Sequence, residues 1–288
     1  MKIRTLFLMT FTCVFFTCYS QCKIKVDGSF IYSDILISNS HLKSYNTSAL
    51  IDTGCSMCVI DSTFAVDTCG ISIRKMLPNT VNKDRIKVHT TYVDAVSFCG
   101  KLYNNVYCIV ADLKGIYKHY APKFIIGANI LKQERWKIDT KAGTMEPCKE
   151  NLKTISYKWK NHRDYIDVAK DYIVLVGDID NQKTRFIFDT GSKFNKLPHD
   201  FKLRNYNAAS IEEETASIGK KISVEQLHSF KDVNFKIGND MYSSDFIEGK
   251  KENIGCINIT FLNGKTFILD YPQQKFEIVC KNKDNAKQ

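Results

Sequence analysis

Several of the commonest catalytic and cofactor signatures are missing from this chain. It has no Gly-x-Ser-x-Gly turn, no phosphate loop, no dinucleotide fingerprint and no His-Glu-x-x-His helix. Those absences remove the usual sequence grounds for a serine-elbow hydrolase, a nucleotide-dependent enzyme or a zinc peptidase. The six histidines, at 41, 89, 119, 162, 199 and 228, stand apart from one another, which suits surface positions better than a ligand set. Proline is scarce, no low-complexity run interrupts the chain, and helical periodicity is rare. The 41 basic residues outnumber the 31 acidic ones but are not gathered into a stripe. Lys141, Lys149, Lys153, Lys158 and Lys160, for example, are interleaved with Asp and Glu. Nucleic acid is therefore not expected as a partner, and weak attraction to acidic polymers is all the charge implies.

Residues 1–20 read as an export signal. Lys2 and Arg4 open it, Leu6–Phe16 is mostly apolar and uncharged, and Cys18-Tyr19-Ser20 precedes a cut at Gln21. The apolar run is shorter than the roughly 20 residues of a membrane anchor, so no integral span is expected after the signal leaves. Lipid attachment at Cys18 or Cys22 is an alternative, although the residues before either cysteine fit that signal poorly. Removal of the signal takes the net charge from +10 to +8. The expected destination is the periplasm, the cell envelope or the exterior.

The remaining residues, 21–288, suffice for two domains of ordinary size. Short runs of β-branched and aromatic residues dominate them: Ser29–Ile37, Ser48–Ile51, Ile86–Phe98, Asn105–Val110, Tyr172–Val176, Arg185–Phe188 and Thr266–Leu269. Helix is expected only in brief pieces, such as Ser62–Cys69 and Ala128–Gln133. The chain is mainly β.

Its strongest signal is an internal repeat. Leu50-Ile51-Asp52-Thr53-Gly54 returns as Ile187-Phe188-Asp189-Thr190-Gly191, each an apolar strand end running into a turn that carries a carboxylate. Downstream, Phe124-Ile125-Ile126-Gly127 is matched with Asn253-Ile254-Gly255, aligning the two glycines. The step from Leu131 to Asp139 equals that from Leu262 to Asp270. The Lys-rich stretch Glu150–His162 reads as the connection, giving domains over 21–150 and 151–288.

These paired motifs resemble the aspartic proteases of the pepsin and retropepsin type, over nearly the whole mature chain. The resemblance implies two homologous β-barrel-like lobes with a cleft between them and a mobile hairpin above it. It implies Asp52 and Asp189 as the catalytic pair, with peptide or protein as substrate and neither cofactor nor metal. It resembles the single-chain, duplicated form, so a monomer holds the whole site. Thr53 and Thr190 are expected to hydrogen-bond across the lobe junction, with Gly54, Gly191 and Ser192 supporting the loops. Ile126, Gly127, Ile254 and Gly255 are expected to pack behind them. Cys55 stands where Ser192 stands in the second copy, replacing a good hydrogen-bond partner with a weak one. The covering hairpin is sought at Pro78–Arg85 or around Tyr92, and at Ser217–Lys220 in the second half.

Physical chemistry reaches the same destination separately. Two carboxylates forced together cannot both ionise cheaply, so they hold one proton between them. One can then deprotonate a water while the other donates to a carbonyl oxygen. A catalytically silent peptide-binding protein is the competing expectation, motivated by Cys55 and by Asn253 in the second glycine element. The short stretch 21–50 leads us to expect activity without extensive trimming.

Nine cysteines follow Gln21, an odd number. Candidate bridges are Cys99–Cys108, Cys58–Cys69 and Cys148–Cys280, and sequence does not choose among them. Cys55-Ser56-Met57-Cys58 has redox or metal spacing but lacks both a βαβ context and a second ligand pair.

Overall fold

The computed structural model describes residues 21–39, 43–74, 77–81, 84–118, 121–159, 171–215, 218, 223–250 and 253–280. The expected export signal, with Cys18, and the last three residues of the expected connection, 160–162, lie outside these residues. The first half contributes β1 (Cys22–Asp27), β2 (Phe30–Ser38), β3 (Ser44–Ile51), β4 (Cys58–Asp61), β5 (Leu77–Val81), β6 (Asp84–Phe98), β7 (Lys101–Ala111), β8 (Phe124–Ile126), β9 (Arg135–Asp139) and β10 (Thr144–Pro147). The second contributes β11 (Thr154–Lys158), β12 (Val174–Ile179), β13 (Gln182–Phe188), β14 (Asn195–His199), β15 (Ala209–Thr215), β16 (Ser223–Ile237), β17 (Asp240–Gly249), β18 (Gly255–Ile257), β19 (Thr266–Asp270) and β20 (Lys275–Val279). Every expected strand falls within or overlaps one of these.

Alternation explains the strands. In β2, Ile31, Ser33, Ile35 and Ile37 are buried while Asp34 and Leu36 face solvent. In β13, Thr184, Phe186 and Phe188 point inward between less buried neighbours. Helix is confined to short pieces: α1 (Leu113–Tyr117), α2 (Ala128–Leu131), a π-helical turn at Phe64–Thr68 and a 3-10 turn at Ile259–Leu262. The Asp112 side chain caps α1 by accepting from the Gly115 N–H at 2.9 Å, a helix the sequence reading missed.

The repeat extends to topology. The strand order β2-β3-β8-β4-β7-β6-β5 recurs as β12-β13-β18-β14-β17-β16-β15. The pairing senses match too: β3 with β8, and β13 with β18, are parallel, as are β4 with β7 and β14 with β17. Additional pairings β2–β6 and β12–β16 close each set into a ring of six strands.

The halves are joined by a shared array, β1-β10-β9-β19-β20-β11. At its centre β9 runs antiparallel to β19, with Asp139 opposite Thr266 and Arg135 opposite Asp270. Asp139 and Asp270 hold matching positions in the repeat, so the two pairs exchange under a local two-fold axis. Phe188, Phe261, Phe267 and Phe276 pack edge-on and stacked beneath the second half of this junction, with Phe188 and Phe276 centroids 5.2 Å apart.

Candidate active site

β3 and β13 each end in the Asp-Thr-Gly turn. β8 and β18 fix those turns by accepting the aspartate backbone N–H: Asp52 N donates to Ile126 O at 3.0 Å, and Asp189 N to Ile257 O at 2.9 Å. The turns then meet. The Thr53 hydroxyl donates to Phe188 O at 2.7 Å, and the Thr190 hydroxyl donates to Ile51 O at 2.6 Å. Each threonine N–H donates to the other's hydroxyl oxygen, both at 3.1 Å. Both threonines are fully buried. Four reciprocal bonds thus tie the two halves together at the turns.

This grip places the carboxyls of Asp52 and Asp189 within hydrogen-bonding reach of each other. The glycines make that approach feasible, since a β-carbon at Gly54 would overlap the Asp189 carboxyl, and one at Gly191 the Asp52 carboxyl. Their N–H groups donate to the aspartate of their own turn, Gly54 to Asp52 Oδ1 at 2.8 Å and Gly191 to Asp189 Oδ1 at 2.9 Å.

Burial first, and the Asp189 charge second, hold the Asp52 carboxyl well above the usual aspartate range. Burial raises Asp189 as well, opposed by the Gly191 N–H, the Lys196 charge and the bond from Asp52. Both carboxyls are raised together, so the pair holds one proton between them.

The residues after the triplets behave alike. Ser192 Oγ donates to Phe194 O at 2.8 Å, and Cys55 Sγ to Met57 O at 2.9 Å. Neither side chain is spent on a carboxylate, so Cys55 is less of a departure than the sequence suggests. The thiol contact to a carboxylate comes instead from Cys256 in β18, whose Sγ lies 3.9 Å from Asp189 Oδ2.

The expected match of Gly127 with Gly255 is out of register by three residues. Ala49, Leu50 and Ile51 lie beside Phe124, Ile125 and Ile126; Phe186, Ile187 and Phe188 lie beside Gly255, Cys256 and Ile257. Ile126 therefore corresponds to Ile257, and Gly127 to Asn258. Gly127 precedes α2, its N–H donating to Cys58 Sγ at 3.4 Å, while Asn258 precedes the 3-10 turn, its N–H donating to Asn195 Oδ1 at 2.8 Å. A β-carbon at Gly127 would press on the Met57 and Cys55 carbonyls. The Asn258 amide instead donates to Ser192 O and Lys193 O at 3.2 and 3.3 Å. Ile254 packs with Val174 beside the second turn, and Gly255 admits the Phe186 ring and Lys196 O. The signal for the true register was present: four residues back from Leu131 is Gly127, and four back from Leu262 is Asn258.

Other expectations need similar correction. β5 and β6 form a hairpin whose tip lies outside the described residues, and Tyr92 sits along β6 opposite Tyr107, away from that tip. Of Ser217–Lys220 only Ile218 is described; it packs against a first-half apolar cluster that includes Leu50, Val59 and Ile125. Glu214 of β15 meets Lys118 beside α1, so the β15–β16 hairpin spans the junction. Two tyrosines missed in the sequence flank the turns. Burial pushes both the Tyr117 and Tyr172 hydroxyls up, with charges of the turns, Asp52 and Asp189 among them, adding to it. Leu113, Ile116 and Tyr117 at helical spacing were the available hint for the first.

None of the three candidate disulfides forms. Cys99 bonds Cys22, because Cys99 and Gly100 are the β6–β7 turn itself rather than its flank. Cys58 and Cys108 face each other on β4 and β7 as free thiols, and Cys69, Cys148 and Cys280 are also free. Among the described residues no helix is long and apolar enough to cross a membrane. No protein-family model and no curated protein sequence matches the chain.

Proposed function

We propose that this chain is an exported aspartic endopeptidase of the pepsin and retropepsin type, acting as a bilobed monomer on extended peptide or protein segments. The observation that carries the reading is the buried Asp52–Asp189 pair on a two-fold axis, held by reciprocal threonine bonds. Such a pair costs folding stability, and general acid–base work gives it a use.

In this reading the ionised carboxyl of the Asp52–Asp189 pair accepts a proton from a water between the two as that water attacks the scissile carbonyl carbon. The protonated carboxyl gives its proton to the carbonyl oxygen, and a tetrahedral gem-diol forms. Collapse of that intermediate breaks the C–N bond, the amine leaves with a proton from the dyad, and the carboxyls regain their starting state. An extended substrate fits between two β-rich halves, where backbone hydrogen bonds hold it and side-chain pockets select it. The Cys22–Cys99 bond suits an oxidising compartment.

The test is cleavage of a diverse peptide mixture between mildly acid and neutral pH. The chain from Gln21 is compared with folded Asp52→Asn and Asp189→Asn variants. Each variant is expected to lose on the order of 10²–10⁴-fold in rate. Retained cleavage in either variant, or peptide retention with no cleavage by the unmutated chain, would defeat the proposal.

A further inference from the structure

The two faces that flank the dyad differ. In the first half Leu50, Val59 and Ile125 form an apolar surface roofed by Leu113 of α1, with Ile116 and Tyr117 packed alongside. Twelve residues, 112–123, separate β7 from β8 and build that roof. Only five, 250–254, separate β17 from β18, too few for a similar cover. The matching second-half positions are Ile187, Lys196 and Cys256, from the pairings of β13, β14 and β18.

Val59 is fully buried; Lys196, in its place, is exposed. Its neighbours on that face include Ile187 and Ile247, the latter directly beside it on β17. Lys196 makes no ion pair or side-chain hydrogen bond with another described residue, whereas nearby Lys193 is matched by Glu213 at 2.6 Å. Lys196 is close enough to the dyad for its charge to pull the Asp189 carboxyl down. A lone cation framed by apolar side chains beside a reacting centre is a receptor for an anion with an apolar stem.

We infer that the second-half subsite takes an acidic side chain, Glu or Asp, of the peptide substrate, and that Lys196 selects it. The first half has no counterpart of this cation: Val59 stands in its place, buried with Leu50 and Ile125 beneath Leu113. Lys196 is a specificity-determining residue, and the inference rests on the peptidase reading only for the cleavage arm of its test.

The experiment uses matched extended peptides carrying Glu, Gln or Lys at each position flanking one central bond. Their binding is measured to the chain from Gln21 bearing Asp52→Asn, and their cleavage by the unmutated dyad. Both are repeated with Lys196→Gln, Lys196→Glu and Lys196→Arg, each shown to be folded by circular dichroism. At one position Glu is expected to beat Gln by about tenfold, as for a partly desolvated charged hydrogen bond. Lys196→Gln removes the preference, Lys196→Glu turns it toward Lys, and Lys196→Arg keeps it. The Glu-to-Gln ratio is the readout, because an effect of the cation on the dyad moves Glu and Gln peptides alike, whereas selection moves their ratio. Preference in binding without cleavage supports the inference and sinks the peptidase reading. Cleavage with no acidic preference, or a preference indifferent to Lys196, overturns the inference and leaves the peptidase reading standing. Neither binding nor cleavage counts against both.

Discussion

The two halves of this molecule solve the same structural problems with different chemistry, except at one place. Where the outer strand of the shared array meets the long hairpin, the first half uses a disulfide, Cys22–Cys99. By the strand registers Tyr157 matches Cys22 and Gly238 matches Cys99, and there the Tyr157 ring lies against Gly238. Cys99 and Gly238 share a positive φ, 45° and 60°. Across the two-fold axis, Asp270 is met by Arg135 at 3.2 Å while Asp139 accepts from the Thr266 hydroxyl at 2.8 Å. Behind the dyad, Gly127 with Cys58 is answered by Asn258 with Asn195. The Asp-Thr-Gly turns, by contrast, are held alike on both sides, bond for bond, by the threonine grip, the glycine N–H groups and the aspartate N–H groups. Periphery tolerates any solution that satisfies its polar groups and fills its space. A proton-sharing pair tolerates little, because both carboxyls must reach one point.

Breaking the unequal pairs should therefore give unequal costs. Arg135 bridges two buried carboxylates, Asp270 and Glu277, so Arg135→Ala should destabilise by about 3–5 kcal/mol. Thr266→Ala, its counterpart across the axis, should cost only about 1 kcal/mol, and urea denaturation of both would show the contrast. Cys22→Ser opens a loop of 77 residues and should cost about 4 kcal/mol on the chain-entropy argument. Gly238→Ala should cost about 1–2 kcal/mol, because its φ is left-handed and the Tyr157 ring must shift.

The equal pair should give equal costs. Thr53→Ala and Thr190→Ala each strand one buried carbonyl and one buried N–H, for about 2–4 kcal/mol apiece. The double variant should depart from the sum, since the two residues touch within one hydrogen-bond network. Thr53→Ser should retain most of the stability, and a large loss there would assign the effect to the methyl group instead of the hydroxyl.

The smallest effect concerns pH. Because both folded carboxyls are raised, the native state binds more protons than the unfolded chain between the ordinary aspartate range and the raised one. Stability contributed by this pair is therefore full at low pH and falls as pH rises through that window. Asp52→Asn should accordingly raise the urea midpoint at neutral pH and leave it nearly unchanged in acid. A variant less stable than the parent at neutral pH would contradict this.

Much of this was legible from the Asp-Thr-Gly turns, since an apolar pair running into a turn specifies a buried strand end with few alternatives. The shared array was foreshadowed by the equal steps Leu131–Asp139 and Leu262–Asp270. The register behind the second turn was missed because a glycine was taken as the anchor. The position needs a residue that can precede a helical turn without crowding it, and Asn258 meets that need through its side chain. Cys22–Cys99 was hidden because a partner 77 residues away depends on sheet closure, which local pattern does not report. Tyr117, Tyr172 and Cys256 were missed for the same reason: separate strand ends and loops bring them to the dyad.

The central claim, that Asp52 and Asp189 form one proton-sharing unit, is tested most directly by following their carboxyl carbons through a pH titration by NMR. In the parent chain, Asp52 should titrate well above the ordinary aspartate range. In Asp189→Asn its midpoint should fall, since the neighbouring charge is gone, yet stay elevated because burial remains. An Asp52 midpoint that is ordinary in the parent chain, or identical in both proteins, would contradict the account.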